Sequence, residues 1–188
     1  MNVPTGKDSR NANTLLLKSA GGQEEAMRNT DRIVRCLLPE IEGREVLEVA
    51  CGTAEFSLSA ARWAKRVTCI DIEESRLDER VKEQDNICFR VMDASKMDFE
   101  GEAFDTIIVY NAIYHIKDQY DEILEECRRV LKPEGHIFLI STWKLDLALM
   151  REKFGGIQGP MEGEHFVGEE YSNQGKGIRE GGIIRLGK

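Results

Sequence analysis

Cysteine pairs in C-x-x-C spacing are absent from this 188-residue chain, as are apolar runs of bilayer length and any excess of positive charge. Each absence removes a class of function. The five cysteines, Cys36, Cys51, Cys69, Cys88 and Cys127, are odd in number and far apart, which argues against both a zinc site and a disulfide framework. Most lie inside apolar runs, where a free thiol behaves as a small buried hydrophobe, and a reducing cytoplasm is the expected compartment. No stretch of about 18 apolar residues exists and the first residues lack the apolar region of a secretory signal, so neither membrane insertion nor export is expected. A formal charge of −8 repels a phosphate backbone, and no nucleic-acid partner is expected. Arg62, Lys65 and Arg66 form a small basic cluster, read as the solvated end of a helix where cations offset the dipole. No metal ligands are assigned.

What is present is enough apolar material, 41% of residues, for one sizeable core. Residues 1–22 are polar and end in Gly21-Gly22, an expected mobile arm or lid; 23–188 are read as a single domain. From Glu24 to Leu38, apolar residues recur at helical spacing before Pro39 ends the pattern. Five strand-length apolar runs follow: Val46 to Val49, Val67 to Ile72, Ile87 to Val91, Thr106 to Tyr110 and His136 to Ser141. Helical segments are expected near Ala54 to Lys65, Ser75 to Gln84 and Gln119 to Leu131. This alternation predicts an α/β fold, a doubly wound and mostly parallel sheet covered on both faces. Right-handed crossovers then gather the C-terminal strand ends on one edge, where such sheets bind ligands. Lys144 to Phe154 reads as a further helix. Nine of the chain's seventeen glycines lie between Gly155 and Gly182, which favours loops. The short apolar stretches His165-Phe166-Val167 and Ile183 to Leu186 either pair as an antiparallel closing hairpin or form a frayed tail.

The most informative stretch is Val46-Leu47-Glu48-Val49-Ala50-Cys51-Gly52-Thr53-Ala54-Glu55-Phe56-Ser57: an apolar run, an acid, a small-residue turn and the start of a helical pattern. Such a turn exposes backbone N–H groups and lets a nucleoside approach closely. Asp71 ends the second apolar run 19 residues after Gly52, a spacing that suits a carboxylate accepting from ribose hydroxyls. Asp93 and Asn111 stand at the ends of two further runs.

In order and spacing, these segments resemble the class I S-adenosylmethionine-dependent methyltransferases, particularly the small-molecule group of ubiquinone/menaquinone-biosynthesis-like enzymes. The resemblance covers roughly Glu40 to Ser141. Val46 to Ala54 is similar to the family's V-L-D-x-G-C-G-T-G motif, with Glu48 for Asp and Ala50 and Ala54 for the outer glycines. A Cβ at Ala54 is expected to narrow the space beside the ligand's methionine part. The resemblance implies a Rossmann-like fold, S-adenosyl-L-methionine as cofactor and methyl transfer to a small-molecule acceptor. It assigns Asp71 to the ribose hydroxyls, Ile72 to the adenine face, and Asp93 with Ala94 to the adenine edge. Ala50, Cys51 and Gly52 form the cradle and Asn111 the mouth, while Glu48 is read as a scaffold or water-mediated contact. His115, four residues after Asn111, is the one candidate catalytic residue, as a base or as a loop anchor. Two other readings stay open: a non-catalytic S-adenosylmethionine-binding protein, and a nicotinamide-dependent oxidoreductase. The latter meets a lone Gly52 where G-x-G-x-x-G requires three. No motif specifies the acceptor or an oligomeric state.

Overall fold

The computed structural model describes residues 28–154, 164–172 and 175–188. The expected N-terminal arm, residues 1–22, lies outside them. Among the described residues, seven strands form one sheet in the order β3-β2-β1-β4-β5-β7-β6. The first five are β1 (Glu45–Val49), β2 (Arg66–Asp71), β3 (Ile87–Val91), β4 (Phe104–Tyr110) and β5 (Leu131–Ser141), all parallel. The last two, β6 (Glu164–Ser172) and β7 (Gly175–Gly187), are antiparallel. All five parallel strands fall on the expected apolar runs.

Alternation along each strand divides the core into two layers. Val46, Val67, Ile108, Phe138 and Ile140 pack with Ile33 and Val34 of α1 (Asn29–Cys36) and with Phe56 and Ala60 of α3 (Glu55–Ala60). Leu47, Val49, Ile107, Val109, Ile137 and Leu139 point the other way, toward α4 (Tyr120–Val130) and α5 (Lys144–Phe154). In α4 the stripe Ile123, Leu124, Cys127 and Val130 is buried, as its 3.6-residue period requires.

Four local expectations are corrected. Pro39 does not end a helix but lies in the first turn of a short one, α2 (Leu38–Ile41), where its missing N–H leaves no bond unmade. The helix expected from Ala54 to Lys65 stops at Ala60, because Gly43 donates to the Trp63 carbonyl and Lys65 to that of Arg44, drawing the chain toward the start of β1. The helix expected from Ser75 to Gln84 is only a 3-10 turn, Glu79–Glu83. Asp78 accepts from the Arg80 backbone and pairs with its guanidinium, and of the segment only Val81 is fully buried, too little apolar surface to favour a longer helix. Finally, β5 begins directly after α4, and its register with β4 slips between Phe104 and Thr106. Gly135 lies in that slip, where a Cβ would stand 2.7 Å from the Asp105 carbonyl oxygen.

At the C-terminus the hairpin forms, in a different register from the one the apolar stretches suggest. His165 and Phe166 pair with Gly182 and Gly181, whereas Ile183, Ile184 and Leu186 pair with Ile140, Leu139 and Ile137 of β5. The isoleucines continue the core, with Ile183 in one layer and Ile184 in the other.

Candidate functional site

The parallel strands wind outward in both directions from β1 and β4, which are neighbours, so a crevice opens beyond their C-terminal ends. A cavity of about 340 Å³ occupies it, within the range of small-molecule sites. Ala50, Cys51, Gly52, Asp71, Ile72, Asp93, Ala94, Asn111 and His115 all line it. Glu48 alone among the expected site residues does not.

Glu48 is 1% exposed beneath the turn, where its Oε2 accepts from both the backbone N–H and the hydroxyl of Ser57. Glu48 thus clamps β1 to α3, the scaffold arrangement of the two expected for it. Burial raises its carboxyl from 4.5 to about 7, against the lowering effect of the two Ser57 bonds. The clamp spans a turn in which Ala50, Gly52 and Ala54 all have positive φ, 53°, 53° and 59°. An L residue there costs about 1–2 kcal/mol, so the outer alanines take up backbone strain where the resembling family has glycine. The methyl of Ala54 does not narrow the cavity as expected. It is fully buried in a small cluster with Cys51, Cys69 and Val81, and Ala54 is not among the lining residues.

The turn exposes fewer amides than its sequence suggests. Cys51 N–H donates to Ile70 O at 3.0 Å, Ala54 N–H to Cys51 O at 2.8 Å, and Gly52 N–H to Asp71 Oδ2 at 2.8 Å. Asp71 thus holds the turn while lining the cavity. Ligand recognition must rest more on side chains and shape than on free backbone donors. The Cys51 thiol is held well above the ordinary thiol range, first by its hydrogen bond with Cys69 and then by burial, which makes it a packing group and not a nucleophile.

On the far wall, Asp93 Oδ1 accepts from the backbone and hydroxyl of Ser95, at 2.8 and 2.7 Å, which lowers its pKa. Ile72 is 75% exposed, a large aliphatic side chain held at the rim beside Asp71.

At the mouth, Asn111 has φ 51°, which asparagine tolerates better than most residues. Its Oδ1 accepts from Thr142 N–H at 2.8 Å and Ser141 Oγ at 3.0 Å, so its side chain ties the ends of β4 and β5 together. His115 follows through a turn and not through a helix, its N–H donating to Ala112 O. Its ring meets Trp143 edge-on at 5.9 Å.

Several contributors have no signal in the sequence reading. Arg76 and Trp143 line the cavity; the rule that ligands gather at C-terminal strand ends would have pointed to Trp143, two residues past β5. Asp146 is fully buried and accepts from Tyr114 N–H at 2.8 Å and Ser141 Oγ at 3.0 Å. It fastens α5 to the segment carrying His115. Among the described residues no group of three or more His, Cys, Asp or Glu is placed to hold a metal, and no helix is long and apolar enough to cross a membrane.

Comparison with known proteins agrees with this geometry. Residues 47–139 match the methyltransferase domain family. A demethylmenaquinone methyltransferase of Listeria monocytogenes serotype 4b is 31% identical over 159 residues, covering 77% of this chain and 67% of the relative. Its counterpart in Staphylococcus haemolyticus is 29% identical over 118 residues, 60% of this chain and 49% of the relative. The chain thus spans about half to two thirds of the length of these relatives. Among solved structures, an Aquifex aeolicus SAM-dependent methyltransferase has a TM-score of 0.59 at 17% identity, over 84% of this chain and 89% of that one, a likeness of fold.

Proposed function

Because the chain belongs to the class I S-adenosylmethionine-dependent methyltransferases, in the quinone-biosynthesis-like group, we propose that it transfers a methyl group from S-adenosylmethionine to a small-molecule acceptor. The observation that carries this reading is Asp71, bonded to the Gly52 turn and facing the same 340 Å³ cavity as Asp93. The residues present fit the donor. Asp71 accepts from ribose hydroxyls, Ile72 and Ala94 flank the adenine, and Asp93, whose Oδ2 has no donor among the described residues, accepts at the adenine edge. Four acids on the cavity wall, Glu55, Asp71, Glu73 and Asp93, favour a ligand bearing positive charge. Cys51 and the left-handed turn at Ala50 and Gly52 shape the cradle, and Glu48 keeps that shape through Ser57.

When bound, S-adenosylmethionine supplies a methyl group on a sulfonium, already a good leaving group, so positioning can account for roughly 7–11 kcal/mol of the barrier. The chain's contribution is accordingly to orient and to exclude water. Asn111 fixes the separation of β4 and β5 at the mouth. Tyr110, His115 and Trp143 line the cavity there, which suits a small aromatic acceptor, and His115 takes the acceptor's proton where one must leave. The domain proposed is 23–188, and the arm or lid expected of residues 1–22 lies outside the described residues. The five free cysteines, none paired, support a cytoplasmic setting.

The test is ligand-dependent melting. S-adenosylmethionine and S-adenosylhomocysteine are expected to raise the Tm while nicotinamide dinucleotides leave it unchanged; the reverse pattern overturns the reading in favour of an oxidoreductase. Donor binding without methylation across a panel of small aromatic acceptors would favour a non-catalytic binding protein.

A further inference from the structure

Arg76 lies on the loop after β2 and reaches over the turn at the only glycine in it. The three atoms nearest to a Cβ built on Gly52 are all from its guanidinium, at 3.7–3.9 Å. It makes no ion pair or hydrogen bond among the described residues, whereas Arg44, Lys65, Arg80, Arg90 and Arg129 are each paired with a carboxylate. It is also the only lysine or arginine among the described residues lining the cavity, against four acids. An unpaired guanidinium with five donors is suited to a carboxylate or a phosphate, and of these the proposed donor carries only a carboxylate.

The donor carries three charges: a sulfonium, an ammonium and an α-carboxylate. The acids of the wall favour the first two and repel the third. We infer that Arg76 recognises the α-carboxylate of the donor's amino-acid part and so makes the site selective for the intact amino acid over truncated nucleosides. This rests on the donor reading given above and adds to it a residue that lies outside the motifs carrying the family resemblance. Arg76 is exposed, so replacing it leaves the core untouched.

The experiment is calorimetric titration of the wild type, Arg76→Met and Arg76→Lys with S-adenosylhomocysteine and with decarboxylated S-adenosylhomocysteine, which keeps the ammonium and lacks only the carboxylate. The wild type is expected to prefer the carboxylate-bearing ligand by about 10- to 100-fold, the range of a hydrogen bond between charged partners. Arg76→Met should abolish that preference by weakening S-adenosylhomocysteine alone, and Arg76→Lys should retain part of it. Equal weakening of both ligands, or no change in either, overturns the inference while leaving the donor reading intact. A wild type that binds neither ligand overturns the donor reading and the inference with it.

Discussion

Replacing Glu48 by glutamine tests the clamp beneath the turn through its pH dependence. The Glu48 carboxyl is raised from 4.5 to about 7, chiefly by burial. A carboxyl whose folded pKa exceeds its unfolded value holds its proton more tightly in the native state, so stability is greatest below pH 4.5. It declines as pH rises from there to about 7, above which the decline is complete. A shift of about 2.5 units corresponds to about 3 kcal/mol, of which about 2.5 kcal/mol falls between pH 5 and pH 8. Glutamine cannot ionise, and its amide oxygen can still accept from Ser57. Its NH2 adds a buried donor, so the absolute stability of the variant is not the clean readout; the difference in slope is. Urea unfolding of both proteins across pH 5 to 8 should give curves that diverge by about 2–3 kcal/mol, or thermal unfolding by about 5–10 °C for a chain of this size. Titrating groups other than Asp71 and Glu55, whose charges act on Glu48 directly, contribute alike to both proteins and cancel. Parallel curves across that range would refute the argument that Glu48 is charged at a desolvation cost inside the folded protein.

Three further substitutions probe the same region and the sheet that supports it. Ala50→Gly relieves a left-handed alanine that is partly exposed in the cavity wall and should stabilise the protein by about 1 kcal/mol, whereas Ala54→Gly gives up a buried methyl worth about 0.8 kcal/mol and should be nearly neutral; chemical denaturation of the pair separates strain from packing. Gly135→Ala places a Cβ against the Asp105 backbone and should destabilise by about 1–3 kcal/mol, seen as a lower urea midpoint at unchanged slope. Asp71→Ala removes both the acceptor for Gly52 N–H and the rim carboxylate and should weaken S-adenosylhomocysteine by about 10- to 100-fold in calorimetry with the fold retained; unchanged affinity would remove Asp71 from the site.

Much of the framework is local in origin and therefore legible in order along the chain. An apolar run bounded by polar or turn residues specifies a strand, and the residue at its end specifies a place on the sheet's edge; Asp71, Asp93 and Asn111 reach one cavity for that reason alone. The helical stripe of α4 is equally local. What failed to show were relations between residues whose nearness is a product of folding. Glu48 sits in an apolar run that already points to burial, but its partner Ser57 is fixed only when the tight turn sets α3 over the end of β1. Asp146 reaches Tyr114 across 32 positions, and Ile183 to Leu186 lie along β5 in the register that continues both layers of the core. Arg76 reads as an ordinary surface arginine until β2 brings its loop over Gly52. Sequence by itself determined the alternation of strands and helices, and with it the edge on which a ligand binds, since nearest-neighbour sterics and hydrophobic period suffice for that. Tertiary structure decided which carboxylates are buried, which backbone donors are already taken and which cation overhangs the turn, since desolvation and hydrogen bonding depend on distances that only the packed chain fixes.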